Sequence, residues 1–163
     1  MTADAMKGLR TPQRMVPVRV LVEDGHMLEG GLYVPATGAD GGPGRLLDRL
    51  NDDTQAFLPL AGRHETLLNK SRIVTVQLAS GHERPEGITE QHAREQRVRF
   101  HLAGGYVVDG WVRYFMPDEH ARLLDYLNEC PRFIPVIGDQ RVTLVHRLFV
   151  SSVEELSGTS SVK

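Results

Sequence analysis

From residue 16 to residue 34 the chain alternates between apolar and other side chains. Val16, Val18, Val20 and Val22 are spaced two apart, and after a short polar break Leu28, Gly30, Leu32 and Val34 repeat the spacing. A period of two marks a strand with one buried face, because successive side chains point to opposite sides of a sheet. For the apolar faces of two hairpin strands to coincide, Val20 must stand opposite an even-numbered residue, which requires an odd number of loop residues. A three-residue loop, Glu23-Asp24-Gly25, with Gly25 in the left-handed region of a bulged turn, meets that parity and sets Val20 opposite Leu28. A two-residue Asp-Gly turn would set Val20 opposite Glu29 and is rejected.

The same pattern returns further along, so residues 18–76 read as one unit repeated over 98–153. Val18-Arg19-Val20-Leu21-Val22-Glu23-Asp24-Gly25 matches Val98-Arg99-Phe100-His101-Leu102-Ala103-Gly104-Gly105, and Leu28-Glu29-Gly30 matches Val108-Asp109-Gly110, at an offset of 80. By the same parity Phe100 pairs with Val108. Arg45-Leu46-Leu47-Asp48-Arg49-Leu50-Asn51 returns as Arg122-Leu123-Leu124-Asp125-Tyr126-Leu127-Asn128, with six of seven residues identical and the offset reduced to 77. Phe57-Leu58-Pro59-Leu60 recurs as Phe133-Ile134-Pro135-Val136, and Thr66-Leu67-Leu68-Asn69-Lys70 as Thr143-Leu144-Val145-His146-Arg147. The offset falls because the first copy carries a longer Gly/Pro-rich loop over 37–44. An identical order of matches in both halves points to an internal duplication.

Within each copy the leucine-rich Asp/Asn segment is spaced for a short helix or helical turn packed on a sheet. The Phe-x-Pro segments, Leu67-Leu68, Ile73 to Val76 and Val142 to Val150 supply further short strands. The expected fold class is mainly β, as two tandem SH3-like small barrels, a way of closing sheet edges on themselves. The organisation expected is a flexible arm at 1–15, a first repeat at 16–78, a linker at 79–97, a second repeat at 98–156 and a flexible tail at 157–163. The linker is polar, with Gly81, Pro85 and Gly87 as breakers, and a short helix is expected from Thr89.

These motifs resemble a known family. A hydrophobic-x-hydrophobic-x-Asp-Gly stretch, then x-Gly-hydrophobic, then Asp-x-x-Asn, is similar to the first Sm motif, carried by Val20 to Leu32 with Asp48 and Asn51, and by Phe100 to Val112 with Asp125 and Asn128. Leu67-Leu68-Asn69-Lys70 leading to Ile73–Val76, and more loosely Leu144-Val145-His146-Arg147, resemble the second. Ser71 and Leu148 stand where that motif has glycine after the basic residue. The repeat is also similar to a little-characterised bacterial family of small β domains with an Arg-Leu-Leu-Asp-x-Leu-Asn segment. The resemblance implies small Sm-like barrels that associate edge to edge into rings, six barrels from three chains. It also implies a candidate RNA or ligand surface made of Asp48, Asn51, Lys70, Asp125, Asn128 and Arg147.

Composition narrows the function. With 19 basic and 21 acidic residues the formal charge is -2, which argues against binding nucleic acid through a strong net positive field, though a local patch is compatible with it. No nucleophile elbow, zinc-protease helix, phosphate loop or Cys-x-x-Cys pair is present. No enzyme activity, metal or cofactor is therefore expected. Asp48 and Asp125 read as turn residues bonding local amides, Asn51 and Asn128 as cap or turn residues, and Lys70 and Arg147 as surface charges. Trp111 lies on the outward parity of its strand beside Arg113. It fits a seam between the two barrels, or a stacked base. His82, Glu83, Glu86, Glu90 and His92 read as a solvated linker, with zinc as the alternative. The single cysteine, Cys130, excludes an intrachain disulfide and reads as a small buried thiol. No run approaches the ~18 apolar residues of a membrane span, and residues 1–15 lack the apolar core of a signal peptide, so a cytoplasmic location is expected. The function expected is a non-enzymatic binding or assembly module whose partner is protein, including a second copy of itself. Single-stranded RNA is the alternative partner, and no membrane is expected.

Overall fold

The computed structural model describes residues 12–38, 44–79, 94–115 and 122–156. The first half contains β1 (Gln13–Val22), β2 (Met27–Pro35), α1 (Leu46–Asn51), β3 (Phe57–Ala61), β4 (Thr66–Asn69), a 3-10 turn (Lys70–Arg72) and β5 (Ile73–Ala79). The second half contains β6 (Arg94–Leu102), β7 (Val107–Tyr114), α2 (Leu123–Glu129), β8 (Phe133–Ile137), β9 (Arg141–His146), a 3-10 turn (Arg147–Phe149) and β10 (Val150–Glu155). β1 starts at Gln13 and β6 at Arg94, ahead of where the alternating pattern begins. In both cases the partner strand is long enough to keep pairing, as Gln13 opposite Pro35 and Arg94 opposite Tyr114.

The hairpin parity argument holds in both halves. Val20 stands opposite Leu28 and Phe100 opposite Val108. The loops close through Val22 N–H to the His26 carbonyl at 3.0 Å and Leu102 N–H to the Tyr106 carbonyl at 2.8 Å, enclosing three residues each. Gly25 and Gly105 have φ of 91° and 82°, the left-handed conformation that such a bulged turn assigns to glycine. The glycine of the x-Gly motif has a different cause. A Cβ at Gly30 would come 2.3 Å from the Ala61 carbonyl oxygen, and one at Gly110 2.7 Å from that of Ile137, so each lets a neighbouring strand cross close to the backbone.

The chain is mainly β, and among the described residues ten strands form a single antiparallel sheet in the order β10-β6-β7-β8-β9-β5-β1-β2-β3-β4. The first half runs β5-β1-β2-β3-β4 and the second β10-β6-β7-β8-β9, one topology used twice. Two separate closed barrels are not what the ladder forms. The sheet runs through both halves, and it ends on β4 and β10 without joining them. The halves meet where β5 pairs with β9, in a register from Thr75 opposite Val145 to Ala79 opposite Arg141. Pro17 is tolerated inside β1 because β5 pairs only with the stretch from Arg19 to Val22, leaving Pro17 a single hydrogen-bonded neighbour.

Two apolar cores fill the fold, and each draws on both halves. The first is built on Val16, Val20, Leu32, Leu58 and Ile73, with Leu46 and Leu50 of α1. It also takes in Phe133, Val142 and Leu144 from the second half. Leu46 and Leu50 are four apart, share one helix face and are fully buried. The second core, around Phe100, Val112, Ile134 and Val145, takes Leu21 and Val74 from the first half. The segment 79–97 read as linker, with its expected helix, and the 157–163 tail fall largely or wholly outside the described residues.

Candidate functional site

The sequence-predicted residues divide into those that join the two halves and those that stay on the surface. Asn51, at the end of α1, turns its Oδ1 to the second half and accepts the Phe133 N–H at 2.9 Å. It thereby satisfies the first amide of β8. Its counterpart Asn128 is exposed on α2. Asp125 is held by a bidentate ion pair with Arg122, at 2.9 and 3.2 Å, while Asp48 is exposed in the first turn of α1. The side chain read as bonding local amides thus pairs with an arginine three residues back.

Lys70 is not a surface charge. It is 2 % exposed, and its ammonium donates to the Arg49 carbonyl at 3.3 Å and to the Asp52 carbonyl in a short contact. Burial pushes its pKa down, and the nearby Asp52 partly offsets this. The 3-10 turn directs the side chain inward under α1, where it ties off carbonyls that the six-residue helix leaves unpaired at its C-terminal end. Arg147 has a related task, donating to the Cys130 carbonyl at 2.6 Å from an otherwise exposed position. Cys130 is buried, as expected, and burial raises its thiol pKa. Trp111 is half-buried on β7, opposite Arg97 and Ile137. It lies two strands away from β9, so it is not in the ladder that joins the halves.

The chemistry that the structure does assemble is the seam between β5 and β9. Around it lie Asn51 on the Phe133 amide, an ion pair of Arg132 with Asp53, and His146, whose Nδ1 is 2.8 Å from the Ile73 carbonyl. A carbonyl only accepts, so Nδ1 carries the proton in that bond. The His146 ring is 2 % exposed, stacks on Phe133 at 4.6 Å and meets Phe149 edge-on at 5.2 Å. Burial pulls its pKa below 6.5, and Arg132 and Arg147 act in the same direction against the Ile73 carbonyl. His146, Arg132 and Phe133 were missed as site residues. The signal available was in the alignment of the two halves, where His146 falls on the position of Asn69.

An open cleft lies beside this seam, lined by Arg19, Glu29, Gln77, Gln140 and Arg141 among others. Among the described residues no group of three or more His, Cys, Asp or Glu is placed to hold a metal ion. The His82–His92 stretch lies outside them. No helix among the described residues is long and apolar enough to cross a membrane. Comparison of the chain with protein families, with curated proteins and with solved structures finds no match.

Proposed function

We propose that the protein is a non-enzymatic assembly module, an internally duplicated pair of Sm-like units sharing one open sheet, whose partner is a second copy of the chain. The observation that carries this reading is the β5–β9 seam. If the two halves are copies of one unit, β5 corresponds to β10 and β9 to β4, so the seam within the chain is a template for pairing β10 of one chain with β4 of the next. Those are the two strands left at the ends of the sheet.

Burial differs between the halves in the way this reading requires. Phe133 and Leu144 are 0 % and 1 % exposed in the seam, whereas their counterparts Phe57 and Leu67, at the free edge, are 54 % and 64 % exposed. On the receiving side Leu50, Ile73 and Val76 are fully buried beneath the seam, while Leu127, Val150 and Val153 are only half-buried. Paired apolar edges of this kind invite strand addition. Such head-to-tail contacts close into a ring or run on as a filament, and three chains would give six units. The RNA reading loses its best cation, since Lys70 is turned inward. Light scattering on the eluting protein tests the proposal. Masses at multiples of the 18.2 kDa chain that rise with concentration are expected, and a strictly monomeric mass at every concentration overturns it.

A further inference from the structure

We infer that the joint between chains uses the register of the internal seam, and that Glu65 set opposite Glu155 makes it the weak joint of the assembly. This rests on the self-assembly reading above. Shifting the seam by the repeat offset of 77 turns the pair Thr75 and Val145 into Ser152 and Leu68, and Val76 and Leu144 into Val153 and Leu67. The next core-facing pair, Leu78 opposite Val142, becomes Glu155 opposite Glu65. Leu78 and Val142 are each 3 % exposed, so the joint would press two carboxylates together where the seam buries two aliphatic side chains.

Like charges directly opposite on paired strands repel, and removing them from water adds to the penalty. The ground is already charged. Glu155 and Asp125 both act on the Tyr114 hydroxyl against Arg94, and Asp125 already takes Arg122 as its own partner. Other positions follow the same trend. Leu21 and Val74 enter the second core from the first half, and their counterparts at the free edge are His101 and Ser151. The apolar contacts retained, Phe57 and Leu67 against Val150 and Val153, supply attraction, and the glutamate pair limits it. The protomer is thus a tight pair of units joined to its neighbours by a reversible, salt-sensitive contact.

Charge exchange in the full-length chain tests this. Both glutamates are exposed in the single chain, so Glu65→Lys and Glu155→Lys leave the fold intact. Each places unlike charges opposite one another, and each is expected to tighten self-association by about tenfold or more in sedimentation equilibrium. The double variant, lysine against lysine, returns to wild-type weakness. Added salt tightens the wild type and loosens the single variants. Singles that behave as wild type, or a double that is tighter than either single, overturn the inference.

Leu67→Cys with Val153→Cys, treated with a short bifunctional thiol reagent, separates that failure from failure of the assembly reading. Crosslinked multimers with inert charge exchange leave self-assembly standing and remove the glutamate pair from it. Chains that never crosslink, even with Glu155→Lys added, overturn both and give the β4 edge to a different partner.

Discussion

Replacing Phe133 and Phe57 by alanine, one at a time, separates two equivalent positions by what covers them. Phe133 is fully buried, stacks on His146 at 4.6 Å and lies in the first core although it belongs to the second half. Removing its ring leaves a cavity at the seam that neighbouring strands cannot close without breaking the β5–β9 register. The cost expected is about 3–5 kcal/mol, the range for a buried Phe→Ala change. At about 2–4 °C per kcal/mol for a domain of this size, the melting temperature falls by roughly 6–20 °C. Phe57 is 54 % exposed, so Phe57→Ala stays within about 0.5 kcal/mol, or roughly 2 °C, in the dissociated chain. Calorimetry or circular dichroism melts at the lowest workable protein concentration read both values free of association. A Phe133→Ala protein that melts with the wild type, or a Phe57→Ala protein that falls as far as Phe133→Ala, refutes the account of the seam.

Asn51→Ala leaves the Phe133 N–H without its partner and is expected to cost about 1–3 kcal/mol in urea unfolding, whereas Asn128→Ala is near neutral in the dissociated chain. Lys70→Met strands the Arg49 and Asp52 carbonyls and should cost about 1–3 kcal/mol; a change within about 0.5 kcal/mol would mark an ordinary surface lysine. His146 has a folded pKa below its ordinary 6.5. Between those two values the unfolded chain binds more protons than the folded one, so the histidine's contribution is present above 6.5 and is lost as pH falls through that window. His146→Asn, the residue of the first copy, should flatten the stability slope there, and an unchanged slope in pH-dependent melts would count against a neutral buried ring.

Much of the local structure was legible. The Val20–Leu28 pairing followed from parity alone, because a one-residue slip would turn every apolar side chain outward, and the Leu46/Leu50 spacing announced a one-sided helix. What could not be read was which strand becomes whose neighbour. Alternation in β5 and β9 tells which face is buried and says nothing about an edge partner seventy residues away. Lys70 was misread for a related reason. A basic residue in a polar turn looks solvated unless the chain places unpaired carbonyls under it, and those come from the end of α1, some twenty residues earlier. Asn51 carried a cap-like signal, but the amide it caps belongs to the other half. Trp111, the most conspicuous candidate on its strand, sits two strands from the β5–β9 ladder.

The shared cores also set the order in which the protein can be completed during synthesis. Thr75 and Val145 are partners separated by 70 residues, so at about 5–20 residues per second the ribosome leaves β5 without β9 for roughly 4–14 s. For that interval Ile73, Val76 and Leu78 lack the side chains that bury them in the finished protein.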